Sequence, residues 1–115
     1  MRKVVVVVTR PWLGTVAEAD RAFGVSMMEK YLHALEAAAE RPAAICFYTE
    51  GVRMVTRDSE LVPGLQLLAG LGVRIVACRT CLEHYGIADR VAVGEVGGMN
   101  DIVALTMGAD SVITV

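Results

Sequence analysis

Five short apolar runs, separated by segments with helical spacing, constrain the fold of this chain more than any other feature. The runs lie at residues 4–9, 43–48, 73–77, 91–93 and 111–115. Near-continuous apolar runs of this length are typical of strands covered on both faces of a parallel sheet. Strands that alternate with helices imply right-handed crossovers. The pattern therefore predicts a three-layer α/β/α fold with a mainly parallel sheet of about five strands.

The helical segments are predicted from apolar spacing and from residues that favour helix ends. Between residues 17 and 40, apolar side chains recur at alternating steps of three and four, which indicates one buried face of a helix. Further helices are predicted at residues 61–71, 82–85 and 100–107, the first with Ser59 as its N-cap and Gly72 as its terminal glycine. The glycine-rich residues 94–98 are predicted to form a turn.

Length, charge and hydropathy exclude several classes of protein. A length of 115 residues suits a single domain spanning residues 1–115, and a hydrophobic content of 55% supplies one core. The 11 basic and 13 acidic residues give a net charge of -2, so we expect no nucleic-acid or anionic-membrane partner. No apolar run approaches the roughly 20 residues that span a bilayer. Three cysteines, an odd and low number, favour a reducing compartment, and we expect the cytoplasm.

The stretch Cys78-Arg79-Thr80-Cys81 is predicted to carry sulfur chemistry. Cys78 follows the apolar run at residues 73–77, and in a parallel sheet the loops after the strands form the functional edge. A cysteine beside Arg79 and near the start of a helix has its thiolate favoured by positive potential, and the thiolate is the nucleophile in sulfur transfer. His84 follows Cys81 by one helical turn, which allows it to assist proton transfer.

Cys81 has three interpretations: a resolving thiol, a second sulfur carrier, or half of a metal site. A structural zinc site needs about four ligands, and one CxxC pair does not supply them, so we expect neither a metal nor a cofactor. The third cysteine, Cys46, lies within an apolar run and is expected to be inert core. The same sheet edge is predicted to receive further residues that follow the first two strands, namely Arg10, Trp12, Glu50 and Gly51.

Several motifs resemble one known family across nearly the whole chain. These motifs are Phe23-Gly24-Val25-Ser26-Met27-Met28, Gly51-Val52-Arg53-Met54, Gly72-Val73-Arg74-Ile75-Val76-Ala77-Cys78, Thr80-Cys81-Leu82-Glu83-His84-Tyr85-Gly86, Val93-Gly94-Glu95-Val96 and Met99. Together they are similar to the DsrE/DsrF-like sulfur-relay family, particularly to the C-terminal domain of the selenium-metabolism protein YedF. Arg79 stands where the family pattern has a glycine between the cysteines.

The resemblance implies a sulfurtransferase-like protein of a sulfur-relay pathway. In such a protein Cys78 carries sulfur, or selenium, as a persulfide or its selenium equivalent, and Cys81 is the accessory thiol. The resemblance also implies assembly into oligomers and exchange with a TusA-like or other sulfur-carrier protein.

Two functions from other classes remain open. One is a thiol-disulfide redox protein that uses Cys78 and Cys81 as its couple, although Ala77 stands where thioredoxin-like proteins have a tryptophan. The other is a noncatalytic oligomeric subunit with structural cysteines. A reversible disulfide identifies the first, and tolerance of substitutions at both cysteines identifies the second.

Overall fold

Parallel pairing joins all five strands into one sheet in this computed structural model, which describes residues 2–115. The strands are β1 (Val4–Val8), β2 (Ala44–Phe47), β3 (Arg74–Cys78), β4 (Glu95–Gly97) and β5 (Ser111–Thr114). The helices are α1 (Arg21–Ala37), α2 (Val62–Gly70), α3 (Arg79–His84) and α4 (Met99–Met107). Short 3-10 helices cover Glu18–Asp20, Thr49–Val55 and Ala88–Arg90. The predicted α/β fold with a five-stranded parallel sheet is confirmed.

The order of strands across the sheet is β4-β3-β2-β1-β5. The chain steps in one direction from β1 to β4 and then returns across the whole sheet to β5. Because crossovers between parallel strands are right-handed, the outward steps place α1 and α2 on one face and the return places α4 on the other. The contacts agree, since α1 packs against α2 while α4 packs against β3 and β4.

The core lies around the three central strands. Val8 of β1, Phe47 of β2 and Ala77 of β3 are neighbours across the sheet and are all buried. The first helix adds Met28 and Leu32 to this core, as its apolar spacing predicts. Burial of β1, β2 and β3 on both faces explains why their sequences are continuous rather than alternating apolar runs.

The fourth strand was predicted at residues 91–93, and this prediction is wrong. The segment before β4 pairs instead with the segment after β2, through an antiparallel bridge between Val91 and Thr56 and a hydrogen bond from the Ala92 N–H to the Val55 carbonyl. The strand is β4, inside the stretch predicted as a glycine-rich turn. Gly94, at φ +81°, lies so close to the backbone of Ile75 that a Cβ would meet its carbonyl oxygen at 2.7 Å. Glycine here permits close approach to β3.

Several element ends also differ from the prediction. The long first helix is shorter than residues 17–40, because Ala38 adopts extended backbone angles (φ -68°, ψ 148°). Ser59 is not an N-cap: its Oγ accepts a hydrogen bond from the Leu61 N–H at 3.1 Å, ahead of α2. Gly72 takes a left-handed φ of +96° immediately after Leu71, the C-cap of α2, consistent with its predicted role at the helix end.

The end of the third strand fixes the position of the CxxC stretch. Cys78 is the last residue of β3 and pairs with Gly97, and α3 begins immediately at Arg79 rather than at residue 82. Both cysteines of the CxxC stretch therefore lie on regular structure and not in a loop.

Candidate functional site

The carboxyl ends of β1, β2 and β3 meet at one edge of the sheet. Tyr48 donates its N–H to the Val8 carbonyl at 3.2 Å, and Gly51 donates its N–H to the Thr9 carbonyl at 3.1 Å. A Cβ on Gly51 would overlap the carbonyl oxygen of Val8, so this close approach requires glycine. The segment after β2 is thus held against the end of β1, as the placement of Gly51 at this edge predicts.

The two cysteines of the CxxC stretch differ in exposure. Cys78, at the end of β3, is 2% exposed. Cys81, in the first turn of α3, is only partly buried. Both are free thiols, and Cys78 is near enough to raise the pKa of Cys81. The topology therefore provides a buried thiol and a more accessible thiol close together.

Thr49 connects the segment after β2 to this thiol pair. Its backbone N–H donates a hydrogen bond to the Cys81 Sγ at 3.0 Å. Its Oγ1 lies 3.0 Å from the Thr9 carbonyl oxygen and 2.8 Å from that of Tyr48, so the hydroxyl can donate to either. Thr49 also has a φ of +48°, which is an outlier for a β-branched residue. Strained conformations of this kind persist where surrounding contacts hold them and are concentrated at functional sites.

Sequence reasoning did not find Thr49. Its position after a buried strand placed it near the predicted edge of the sheet. The residue type, however, does not predict a left-handed backbone conformation for threonine, or that its N–H donates to a cysteine. Only the packing of the three segments reveals it.

Several neighbouring groups influence the pKa of Cys81. Burial is the largest influence and raises this pKa, whereas the hydrogen bond from the Thr49 N–H lowers it. The neighbouring Cys78 raises the pKa of Cys81 further. The Thr49 N–H therefore acts against both burial and Cys78 in favouring the Cys81 thiolate.

The predicted supporting residues, Arg79 and His84, are both exposed on α3. The His84 ring contacts Tyr85 edge-on, with 5.0 Å between the ring centroids. Among the side-chain hydrogen bonds of residues 2–115, none joins Arg79 or His84 to a cysteine. A supporting role for these two side chains remains a prediction.

The loop after β1 is oriented toward α1. The Trp12 Cβ lies close to Gly24, and the Arg21 guanidinium stacks over the Trp12 ring at 4.3 Å from its centroid. Arg10 reaches the Thr15 Oγ1 at 3.3 Å. Trp12 therefore helps to pack the start of α1, while Glu50 lies beside Thr49 in the 3-10 helix that follows β2.

An arginine also packs over α3. The Arg53 guanidinium, from the 3-10 helix after β2, stacks over the Tyr85 ring at 4.4 Å from its centroid. This contact adds to the backbone contacts that hold the segment after β2 near Cys81.

Cys46 is a fully buried thiol on β2, as expected of a core residue. Burial raises its pKa to about 11, although the charge of Arg74 acts in the opposite direction. We expect iodoacetamide at pH 8 to leave Cys46 unmodified in the folded protein, because the thiolate is scarce and the reagent cannot reach it. Peptide mass spectrometry measures this, and alkylation in urea is the control. Modification of folded Cys46 at the rate seen in urea would contradict its burial.

Residues 2–115 contain neither a membrane-spanning helix nor a cluster of metal-binding side chains. No helix in this range is both long and apolar enough to cross a membrane. No three histidine, cysteine, aspartate or glutamate side chains in the same range are grouped so that they could hold a metal ion.

Comparison with known proteins gives one family and several solved structures. The model of the DsrE/DsrF-like family matches residues 3–115. The ychN protein from E. coli has a similar structure, with a TM-score of 0.75, 20% identity and coverage of 100% of both chains. MTH1491 from Methanobacterium thermoautotrophicum, a protein of unknown function, has a TM-score of 0.72, 25% identity and the same full coverage.

A more distant structure has the same fold. BT1422 from Bacteroides thetaiotaomicron, also a conserved protein of unknown function, has a TM-score of 0.65 and 17% identity over 98% of this chain and 95% of its own. No curated protein sequence matches this chain. The solved structures therefore support the fold.

Proposed function

Because the chain belongs to the DsrE/DsrF-like family, we propose that it accepts sulfur as a persulfide on the Cys78 and Cys81 pair and transfers it to an acceptor thiol. The observation that carries this proposal is the pair itself. Two free thiols lie close together at the carboxyl edge of a parallel sheet, and a backbone N–H donates to one of them. Sulfur transfer needs such a thiolate at an accessible edge.

The proposed transfer needs no oxidant. A cysteine thiolate attacks the outer sulfur of a donor persulfide, R–S–SH. A new S–S bond forms to the cysteine, the S–S bond of the donor breaks, and R–S⁻ leaves, so that the protein carries Cys–S–SH. In the second half, an acceptor thiolate attacks the outer sulfur in the same way and the cysteine thiolate is released. The number of S–S bonds is conserved in each half.

The proximity of the two free thiols also favours a second candidate, a thiol-disulfide redox protein. That reaction differs in its chemistry, because joining Cys78 to Cys81 removes two electrons and two protons and requires an external oxidant. The products distinguish the two functions, since a disulfide loses two hydrogens whereas a persulfide gains one sulfur.

Intact-protein mass spectrometry after anaerobic incubation with glutathione persulfide tests the proposal. We expect one added sulfur on the wild-type protein and on the Cys46→Ala variant, which is the matched control because it removes a buried thiol. The Cys78→Ala/Cys81→Ala double variant is expected to gain none. Dithiothreitol should release the added sulfur. Absence of added sulfur on the wild-type protein would overturn the proposal, and a disulfide without added sulfur would favour the redox protein.

The atom that is carried, the exchange partner and the compartment are also part of the proposed function. The resemblance to YedF makes selenium an alternative cargo, which the same mass measurement tests with a selenium donor. A TusA-like or other sulfur-carrier protein is the proposed exchange partner, and the cytoplasm is the proposed compartment, since a persulfide carrier needs thiols that stay reduced.

We also propose that the protein forms a homo-oligomer. Large exposed apolar side chains are concentrated on α4 and the edge strand β5, namely Met99, Val103, Met107, Val112 and Ile113. Apolar surface of this kind on a soluble chain is typical of a protein interface, and β5 also presents an unpaired strand edge. A monomeric mass in light scattering at micromolar concentration would contradict this proposal.

A further inference from the structure

We infer that Cys81, and not Cys78, receives sulfur from the donor, and that Thr49 is a positioning residue whose backbone N–H holds the Cys81 sulfur. This inference rests on the proposed function and reverses the roles that the family resemblance implies for the two cysteines. Three features of the site support it: the unequal exposure of the two thiols, the hydrogen bond at Cys81 and the side-chain contacts of Thr49.

Access separates the two thiols. Cys78 ends the buried strand β3 and is 2% exposed, so the surrounding atoms occupy the space that a donor would need. Because protein interiors are close-packed, we expect that an added sulfur atom on Cys78 would require its neighbours to move. Cys81, three residues later on α3, is only partly buried and therefore accessible to a donor.

The hydrogen bond from the Thr49 N–H also favours Cys81 as the cysteine that accepts sulfur. An N–H that donates to the Cys81 Sγ at 3.0 Å stabilises negative charge on that sulfur and lowers the pKa of Cys81, against the effect of burial. Negative charge is present on the cysteine sulfur both before sulfur arrives and after it leaves. The Thr49 N–H therefore lies beside the sulfur atom that is negatively charged before it accepts sulfur and again after it has transferred it.

Thr49 is held in this position by its own side chain. Its left-handed backbone conformation is unfavourable for a β-branched residue, and contacts from Oγ1 to the Thr9 and Tyr48 carbonyl oxygens act against that cost. Without the hydroxyl, the N–H loses the contacts that direct it at Cys81. Thr49 thus acts on sulfur chemistry through Cys81 without touching the donor itself.

Single variants test the assignment of Cys81. With glutathione persulfide as the probe, we expect Cys78→Ala to gain sulfur, and peptide mapping to place that sulfur on Cys81. Cys81→Ala is expected to accept sulfur about tenfold more slowly or not at all, because only the buried thiol remains. Cys46→Ala is again the control. Acceptance by Cys81→Ala at the wild-type rate, with none by Cys78→Ala, would overturn the inference. Absence of sulfur on the wild-type protein would instead overturn the proposed function.

Alkylation kinetics test Thr49 separately from sulfur transfer. The rate of Cys81 modification by iodoacetamide reports its thiolate fraction as pH rises. We expect Thr49→Gly, which tolerates the backbone angle but lacks the hydroxyl, to move the midpoint to higher pH, and Thr49→Ser to retain it. Cys78→Ala should move the midpoint to lower pH, because Cys78 raises the pKa of Cys81. Identical midpoints for Thr49→Gly and wild type, with both folded by circular dichroism, would contradict the role of Thr49.

Discussion

Gly51→Ala is expected to destabilise the protein by about 3 kcal/mol or more, because the added methyl group would overlap backbone atoms that cannot move aside without distorting the sheet. A Cβ at residue 51 would overlap the Val8 carbonyl oxygen and would lie 2.9 Å from the Val8 carbonyl carbon. A flexible side chain can rotate away from an added methyl group, whereas the end of β1 is fixed by its pairing with β2. The midpoint of urea unfolding, followed by circular dichroism, measures the loss.

Gly70→Ala is the matched control for this substitution. Gly70 is the last residue of α2, and no atom lies within 4 Å of a Cβ built there. Because alanine favours the helix over glycine, we expect this variant to be unchanged or stabilised by up to about 1 kcal/mol. Equal protein concentrations keep any effect of self-association the same in both measurements. If both glycine variants unfold at the same urea concentration as the wild-type protein, the result would contradict the close approach of Gly51 to the end of β1.

The consequence of Gly51→Ala for sulfur chemistry follows from the same contact. Gly51 donates its N–H to the Thr9 carbonyl, the same oxygen that the Thr49 hydroxyl contacts. Displacing residue 51 therefore also displaces the N–H that donates to Cys81. A folded fraction of the variant should show slower sulfur acceptance as well as lower stability.

Phe47→Ala is the second substitution with a large expected effect, a loss of about 3 to 5 kcal/mol in the free energy of unfolding. Phe47 is fully buried at the end of β2, between Val8 and Ala77 in the sheet. Its removal leaves a cavity next to the strand ends that position Thr49 and Cys78, and a packed core collapses only partly around such a space. Urea unfolding again provides the measurement.

Phe23→Ala is the natural comparison, since the chain has only two phenylalanines. Phe23 lies on α1 and is 64% exposed, so its truncation is expected to change stability by no more than about 0.5 kcal/mol. Comparable losses at both positions would show that Phe23 is covered in solution and would contradict the contrast in burial.

Much of the architecture followed from sequence because local signals and global packing agree. The apolar runs of β1, β2 and β3 are buried on both faces. Because successive side chains of a strand point to opposite faces, a strand buried on both faces needs apolar residues at nearly every position. Gly72 marked the end of α2 through its left-handed backbone. The fourth strand was misplaced because β4 contains a glycine and an acidic residue, both poor strand signals, while Val91 before it pairs with a different segment.

The amino-acid sequence by itself determined the fold class, the position of the CxxC stretch at the carboxyl edge of the sheet and the burial of Cys46. Each depends on residue type and local spacing. Only the tertiary structure decided which cysteine is accessible, that Thr49 donates to Cys81 and that Trp12 packs against the start of α1. These features arise where segments distant along the chain meet, because burial and backbone hydrogen bonds at the strand ends are properties of the packed arrangement and not of any one segment.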